Sequence, residues 1–158
     1  MAGRASRIVI GVGNPERGDD AVGRAVVRRL VVQGLPEIEI AECSGEAAEL
    51  LELLGRADAA FLVDAGRFEA APGTLRRLDA RQASVPLAVG GTSSHGFGLA
   101  AAIELARALA RLPPCCLVYL VQGARYDFGA ALSPAVKAAV PVAVAAIRRD
   151  VLAAAGTL

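Results

Sequence analysis

The sequence predicts an α/β fold: a three-layer α/β/α sandwich with a mostly parallel open sheet and helices on both faces. Three observations predict it. Short, almost wholly apolar runs recur at residues 7–13, 59–63 and 115–121, as strands covered on both faces require. Stretches with apolar residues at helical spacing lie between them. Glycines or prolines punctuate the junctions, which is the alternation of a strand–helix–strand series.

The first run, RIVIGVG from Arg7, ends in glycines and reads as a buried parallel strand. After a turn over residues 14–18, Asp19 or Asp20 is placed to cap a helix reaching about Val32. Its Val22, Val26 and Leu30 repeat every four positions, with Arg24, Arg28 and Arg29 left for the outer side. Residues 37–41 alternate as a second strand, and 45–54 carry Leu50, Leu51, Leu53 and Leu54 on a helical pattern. The buried strand 59–63 stops at Asp64, and 73–78 reads as a short strand at the sheet edge. Residues 80–94 read as loop, followed by a helix over 98–112 that ends before Pro113 and Pro114. After the apolar strand 115–121, Ser133 and Pro134 supply a capping hydroxyl and a first-turn proline for a helix toward Ala155. Pro141 should kink or break that helix. With no linker, repeat or low-complexity block, residues 1–158 read as a single domain.

Composition narrows the function classes. Apolar residues are 54% of the chain, enough to bury a core and offset chain entropy, although aromatics are only 4%. The 17 basic and 16 acidic residues nearly cancel, so no electrostatic case exists for nucleic acid or an anionic membrane surface as partner. The longest apolar runs, 117–121 and 138–147, fall short of the roughly 20 residues of a membrane helix. No signal-peptide core follows the start, and the three cysteines form no even framework. They read as reduced core residues of a cytoplasmic protein.

The first strand–helix turn carries Gly11, Gly13, Asn14, Gly18, Asp19, Asp20 and Gly23. It fails the dinucleotide fingerprint G-x-G-x-x-G, because Glu16 stands at the third glycine position. It also lacks the Lys and hydroxyl of a phosphate loop. Acidic where phosphate binders are neutral or basic, the turn suits a cation. Asp20 after the first strand, Asp64 ending a neighbouring one, and His95, the sole histidine, before a later helix would converge at one sheet edge. Each residue alone also has an ordinary use in a cap, a turn or an exposed loop. Together, two carboxylates and an imidazole form a ligand set for nickel or zinc with positions left open. Glycines 11, 13, 66, 90, 91, 96 and 98 would let backbone approach a bound peptide.

On Gly11-Val-Gly13-Asn14 with Gly18-Asp19-Asp20-Ala-Val-Gly23, on Leu62-Val-Asp64-Ala, and on Ser94-His95-Gly-Phe-Gly98-Leu99, the chain resembles the hydrogenase maturation endopeptidases. The late Leu132-Ser133-Pro134 helix with internal Pro141 adds to the likeness, which spans nearly the whole chain. The resemblance implies an endopeptidase that removes the C-terminal extension from the nickel-loaded large-subunit precursor of [NiFe] hydrogenase. It implies Asp20, Asp64 and His95 as metal-contacting and catalytic residues, with nickel supplied by the precursor and no serine or cysteine nucleophile. Some family members carry Glu at the position of Asp20; the shorter Asp draws the ligand oxygen back by about one bond length. Two other readings use the same residues: a self-contained metal-dependent hydrolase of a small amide or ester, and a non-catalytic hydrogenase accessory protein.

Overall fold

The computed structural model describes residues 6–86 and 98–156. Among the described residues, five strands and four α-helices follow one another as β1 (Arg7–Val12), α1 (Val22–Gln33), β2 (Glu39–Cys43), α2 (Ala47–Gly55), β3 (Ala59–Gly66), β4 (Leu75–Asp79), α3 (Leu99–Ala108), β5 (Cys115–Gln122) and α4 (Pro134–Ala155). They form one sheet in the order β2-β1-β3-β5-β4. The first four of these strands are parallel, and β4 pairs antiparallel with β5 at the edge. Among the described residues no helix is long and apolar enough to cross a membrane.

Alternation along the central strands divides the interior into two cores. Ile8, Ile10, Val12, Ala60, Leu62, Val118 and Leu120 face one way and pack with Leu50 and Leu54 of α2 and Ala102 and Ile103 of α3. Val9, Phe61, Val63, Tyr119 and Val121 face the other way, against Val26 and Leu30 of α1 and Val140, Val144 and Ile147 of α4. A strand buried on both faces has no polar side, which is why these runs read as continuous apolar segments. The three-layer α/β/α architecture expected from the sequence is the one observed.

Several local expectations are corrected. Neither Asp19 nor Asp20 caps α1: a 3₁₀ turn over Gly18–Ala21 precedes it, and its N-cap is Ala21, without a side-chain bond. Ser133 does stand at the N-cap of α4 with Pro134 in the first turn, yet its hydroxyl does not cap the helix; it donates to Asp19. Helix α4 runs through Pro141 as one helix, so of the expected kink or break, the break does not occur. The proline removes one internal N–H donor, and packing of Val140 and Val144 on the sheet holds the helix across the gap. Strand β3 continues past Asp64 to Gly66, so Asp64 lies within a paired strand, opposite Leu120 of β5.

Candidate active site

The site begins with a close approach of α1 to the sheet. A Cβ on Gly23 would collide with the carbonyl oxygen of Val63 and lie 2.5 Å from that of Val12, so the first turn of α1 sits directly on β1 and β3. Gly11 likewise leaves room for the Gly23 carbonyl, 2.6 Å from where its own Cβ would be. At Gly13 the chain adopts φ +135°, open to glycine alone, and turns with its backbone against the carbonyl of Asp20. These glycines therefore serve internal packing, as does Gly66, whose missing Cβ makes room for Phe68 and Leu120. That corrects the expectation that glycines 11, 13 and 66 receive a peptide. Of the others, Gly98 has no neighbour within 4 Å of a built Cβ, and 90, 91 and 96 lie outside the described residues.

Chain direction in the sheet then sets the location. From β1 the chain passes through α1 to β2 on one side; from β3 it passes to β4 and β5 on the other. The carboxyl ends of β1 and β3 thus flank the point where connections diverge, the crevice in which open α/β sheets bind ligands. Asp20 follows β1, and Asp64 lies one residue beyond Val63, the partner of Gly11. The structure brings these two carboxylates together at that crevice. His95 lies outside the described residues.

Both carboxylates are oriented by backbone. Asp20 Oδ2 accepts the Asn14 N–H at 2.9 Å, and Asn14 Oδ1 in turn accepts the Glu16 N–H at 2.9 Å, closing the turn. Asp64 Oδ1 accepts the Ala65 N–H at 2.7 Å. Burial raises the Asp64 pKa well above the usual carboxylate range, the neighbouring charge of Asp20 raises it further, and the Ala65 N–H works against both. The Asp20 charge therefore adds to the burial that disfavours ionisation of Asp64. Among the described residues neither takes part in an ion pair. Such a donor set fits a divalent metal, although no group of three potential ligands occurs among the described residues.

The nearest thiol is unsuited to attack. Cys43, at the end of β2, is buried, and that burial pushes its pKa up to about 11. Cys116 is pushed up to about 12 in the same way, and all three cysteines are free.

One functional candidate was missed from the sequence. Asp19 is fully buried, and its carboxylate accepts the N–H groups of Ala124 (2.8 Å), Arg125 (2.9 Å) and Ser133 (2.7 Å) and the Ser133 hydroxyl (2.8 Å). Burial opposes its ionisation, but these four donors together lower its pKa below the ordinary value. The available signal was the doubled Asp19-Asp20 itself: consecutive side chains leave a turn in different directions, and only one can face the crevice.

A family model described as hydrogenase maturation protease matches residues 25–150. The chain belongs to the hydrogenase maturation protease family. The match includes Asp64 and His95 but begins after Asp20, which therefore rests on the geometry of the crevice. Among solved structures, the hydrogenase maturating endopeptidase HybD from E. coli is 25% identical, with a TM-score of 0.74 over 90% of this chain and 89% of that one. An endopeptidase from Escherichia coli solved in solution is 26% identical, with a TM-score of 0.76 over the same shares. The [NiFe] hydrogenase maturation protease HycI from Thermococcus kodakarensis, 22% identical, shares the fold at a TM-score of 0.70 over 94% and 93%. No curated protein sequence gives a match.

Proposed function

We propose that this maturation protease, acting as one domain in the cytoplasm, removes the C-terminal extension of a [NiFe] hydrogenase large-subunit precursor after nickel has been inserted, and that Asp20, Asp64 and His95 contact that nickel. The observation that carries the reading is the pairing of Asp20 with Asp64 at the crevice where the sheet connections diverge, with Asp64 held protonation-prone by burial and by its neighbour. A substrate-borne cation entering there relieves the repulsion, so binding depends on completed metal insertion. Leu99, which opens α3 four residues after His95, packs in the same core as Val12 and Cys43, on the face of the sheet that alternation assigns to Asp64. This supports His95 as the third ligand.

Cleavage adds one water across the scissile peptide bond, releasing the tail with a new amine and leaving a carboxylate on the large subunit. The high pKa of the Cys43 thiol argues against a thiolate intermediate. The test is a gel-shift assay of a nickel-loaded precursor with Asp20→Ala, Asp64→Ala and His95→Ala, each checked for folding by circular dichroism. Each variant should fold and lose tail removal. Full processing by the His95 variant would overturn the site assignment, since no second histidine exists to replace it.

A further inference from the structure

The segment between β5 and α4 stands at the same sheet edge as the acidic pair, and it is tied there with unusual thoroughness. Asp19 takes four hydrogen bonds from it, through Ala124, Arg125 and both donors of Ser133. The Asp19 N–H returns a bond to the Arg125 carbonyl at 2.7 Å, and the Gly129 N–H donates to the Glu16 carbonyl at 2.7 Å. Gly18, at φ +52°, rests against the same Arg125 carbonyl, leaving no space for a side chain. Yet the segment presents Phe128 with 71% of its surface exposed, the Arg17 guanidinium 5.7 Å from the ring centroid. A well-anchored loop holding a largely exposed aromatic ring beside the turn that carries Asp20 has the properties of a binding anchor: little ordering entropy remains to be lost when a partner covers it.

We propose that Asp19 is a positioning residue for precursor cleavage: its buried carboxylate fixes residues 124–130, and with them the exposed Phe128 ring, against the turn that carries Asp20, so that the precursor protein meets ring and crevice at a set separation. The inference rests on the maturation-protease reading and extends it to the docking surface. Only a carboxylate meets the four donors. Asparagine has a single acceptor oxygen, and in either orientation its amide would point N–H groups at N–H or O–H donors. The partner is the folded precursor rather than its tail alone, because an aromatic ring on a rigid loop suits a preformed apolar recess.

The experiment is a double-mutant cycle on nickel-loaded precursor, measuring kcat and KM separately for wild type, Phe128→Ala, Asp19→Asn and the double variant. Phe128→Ala should raise KM about tenfold and leave kcat within about threefold; Asp19→Asn should raise KM comparably, and the double variant should add less than about threefold to Asp19→Asn. A role confined to fold stability would instead lower apparent kcat through loss of folded enzyme, leave KM unchanged and combine additively with Phe128→Ala. Additivity, or a wild-type KM for Phe128→Ala, overturns this inference while leaving the function standing. Absence of cleavage by wild-type enzyme overturns both. If Asp19→Asn does not fold, Ser133→Ala, which removes one of the four donors to Asp19, takes its place in the cycle under the same criteria.

Discussion

Gly23→Ala tests how the site is built, because secondary-structure propensity and tertiary packing predict opposite signs. Inside a helix the exchange should stabilise by roughly 0.5–1 kcal/mol, since glycine loses more backbone entropy on folding. Here the added methyl would collide with the Val63 carbonyl and stand 2.5 Å from the Val12 carbonyl oxygen and 2.9 Å from the Val12 nitrogen. All three atoms are backbone of the two central strands and have no rotamer through which to withdraw. Helix α1 must therefore lift by roughly 0.5–1 Å to restore ordinary contact distances. Overpacking of this kind costs about 1–3 kcal/mol, and with rigid backbone on every side the upper half of that range applies. After the propensity gain is subtracted, a net loss of about 2 kcal/mol remains, or roughly 4–8 °C in Tm for a chain of this length. Asp20 lies three residues ahead, so the lifted helix should also slow precursor processing. Gly55→Ala is the control, because nothing lies within 4 Å of its built Cβ at the end of α2. Its Tm should rise by about 1–3 °C on propensity alone. Thermal melts of the three proteins under one buffer decide the matter. A Gly23→Ala variant melting at or above wild type would refute the claim that this helix–strand contact is glycine-dependent.

Other outcomes follow from the same interior. Cys43→Ala should retain most processing activity, and brief alkylation of the folded protein at pH 8 should spare Cys43 and Cys116, whose thiols burial pushes up to about 11 and 12; loss of activity in the Cys43 variant alone would point to a thiol peptidase. Asp150, on α4, accepts Tyr119 Oη at 2.6 Å and Arg77 Nε at 2.7 Å, tying the helix to β5 and edge strand β4. Burial works against its ionisation, but these two partners and the nearby arginine charges lower its pKa below the usual 3.8. A depressed folded-state pKa contributes stability above the unfolded value and loses it as pH falls through the folded one. The stability difference between wild type and Asp150→Asn should therefore be about 1–2 kcal/mol at pH 7, moderated by the exposure of Arg77, and should shrink below about pH 4 in urea titrations. An unchanged difference at pH 3 would remove the charge from the explanation. Purified protein dialysed against a mild chelator should retain far less than one metal ion per chain by elemental analysis, because the metal is expected to arrive with the precursor. A stoichiometric ion surviving that treatment would favour a hydrolase with a resident metal.

The strands were legible because a two-sided burial pattern is written locally: the apolar runs at β1, β3 and β5 admit no polar face, and Gly and Pro mark their ends. Edge strand β4 was legible as a short segment mixing leucines with charged residues, and none of its residues is fully buried. Helix ends were less so. Ser133 and the doubled aspartates have the composition of caps, but a hydroxyl or carboxylate bonds to whatever donor the tertiary fold brings nearest, and here each found the other across more than a hundred residues.

The candidate site divides along the same line. Residue type and strand-end placement made Asp20, Asp64 and His95 candidate ligands, because loops leaving parallel strands emerge at one edge, and the family resemblance implied the same three. Tertiary structure decided that β1 and β3 are neighbours and that their connections diverge, which makes a crevice of two strand ends. It also decided which aspartate faces that crevice and which is buried as a strut under the β5–α4 segment. Periodicity and turn chemistry are set by sterics within a few residues and can be read from sequence. Strand order, the proximity of two carboxylates and the partner of a buried one depend on which distant segments share a core, and only the packed chain specifies that.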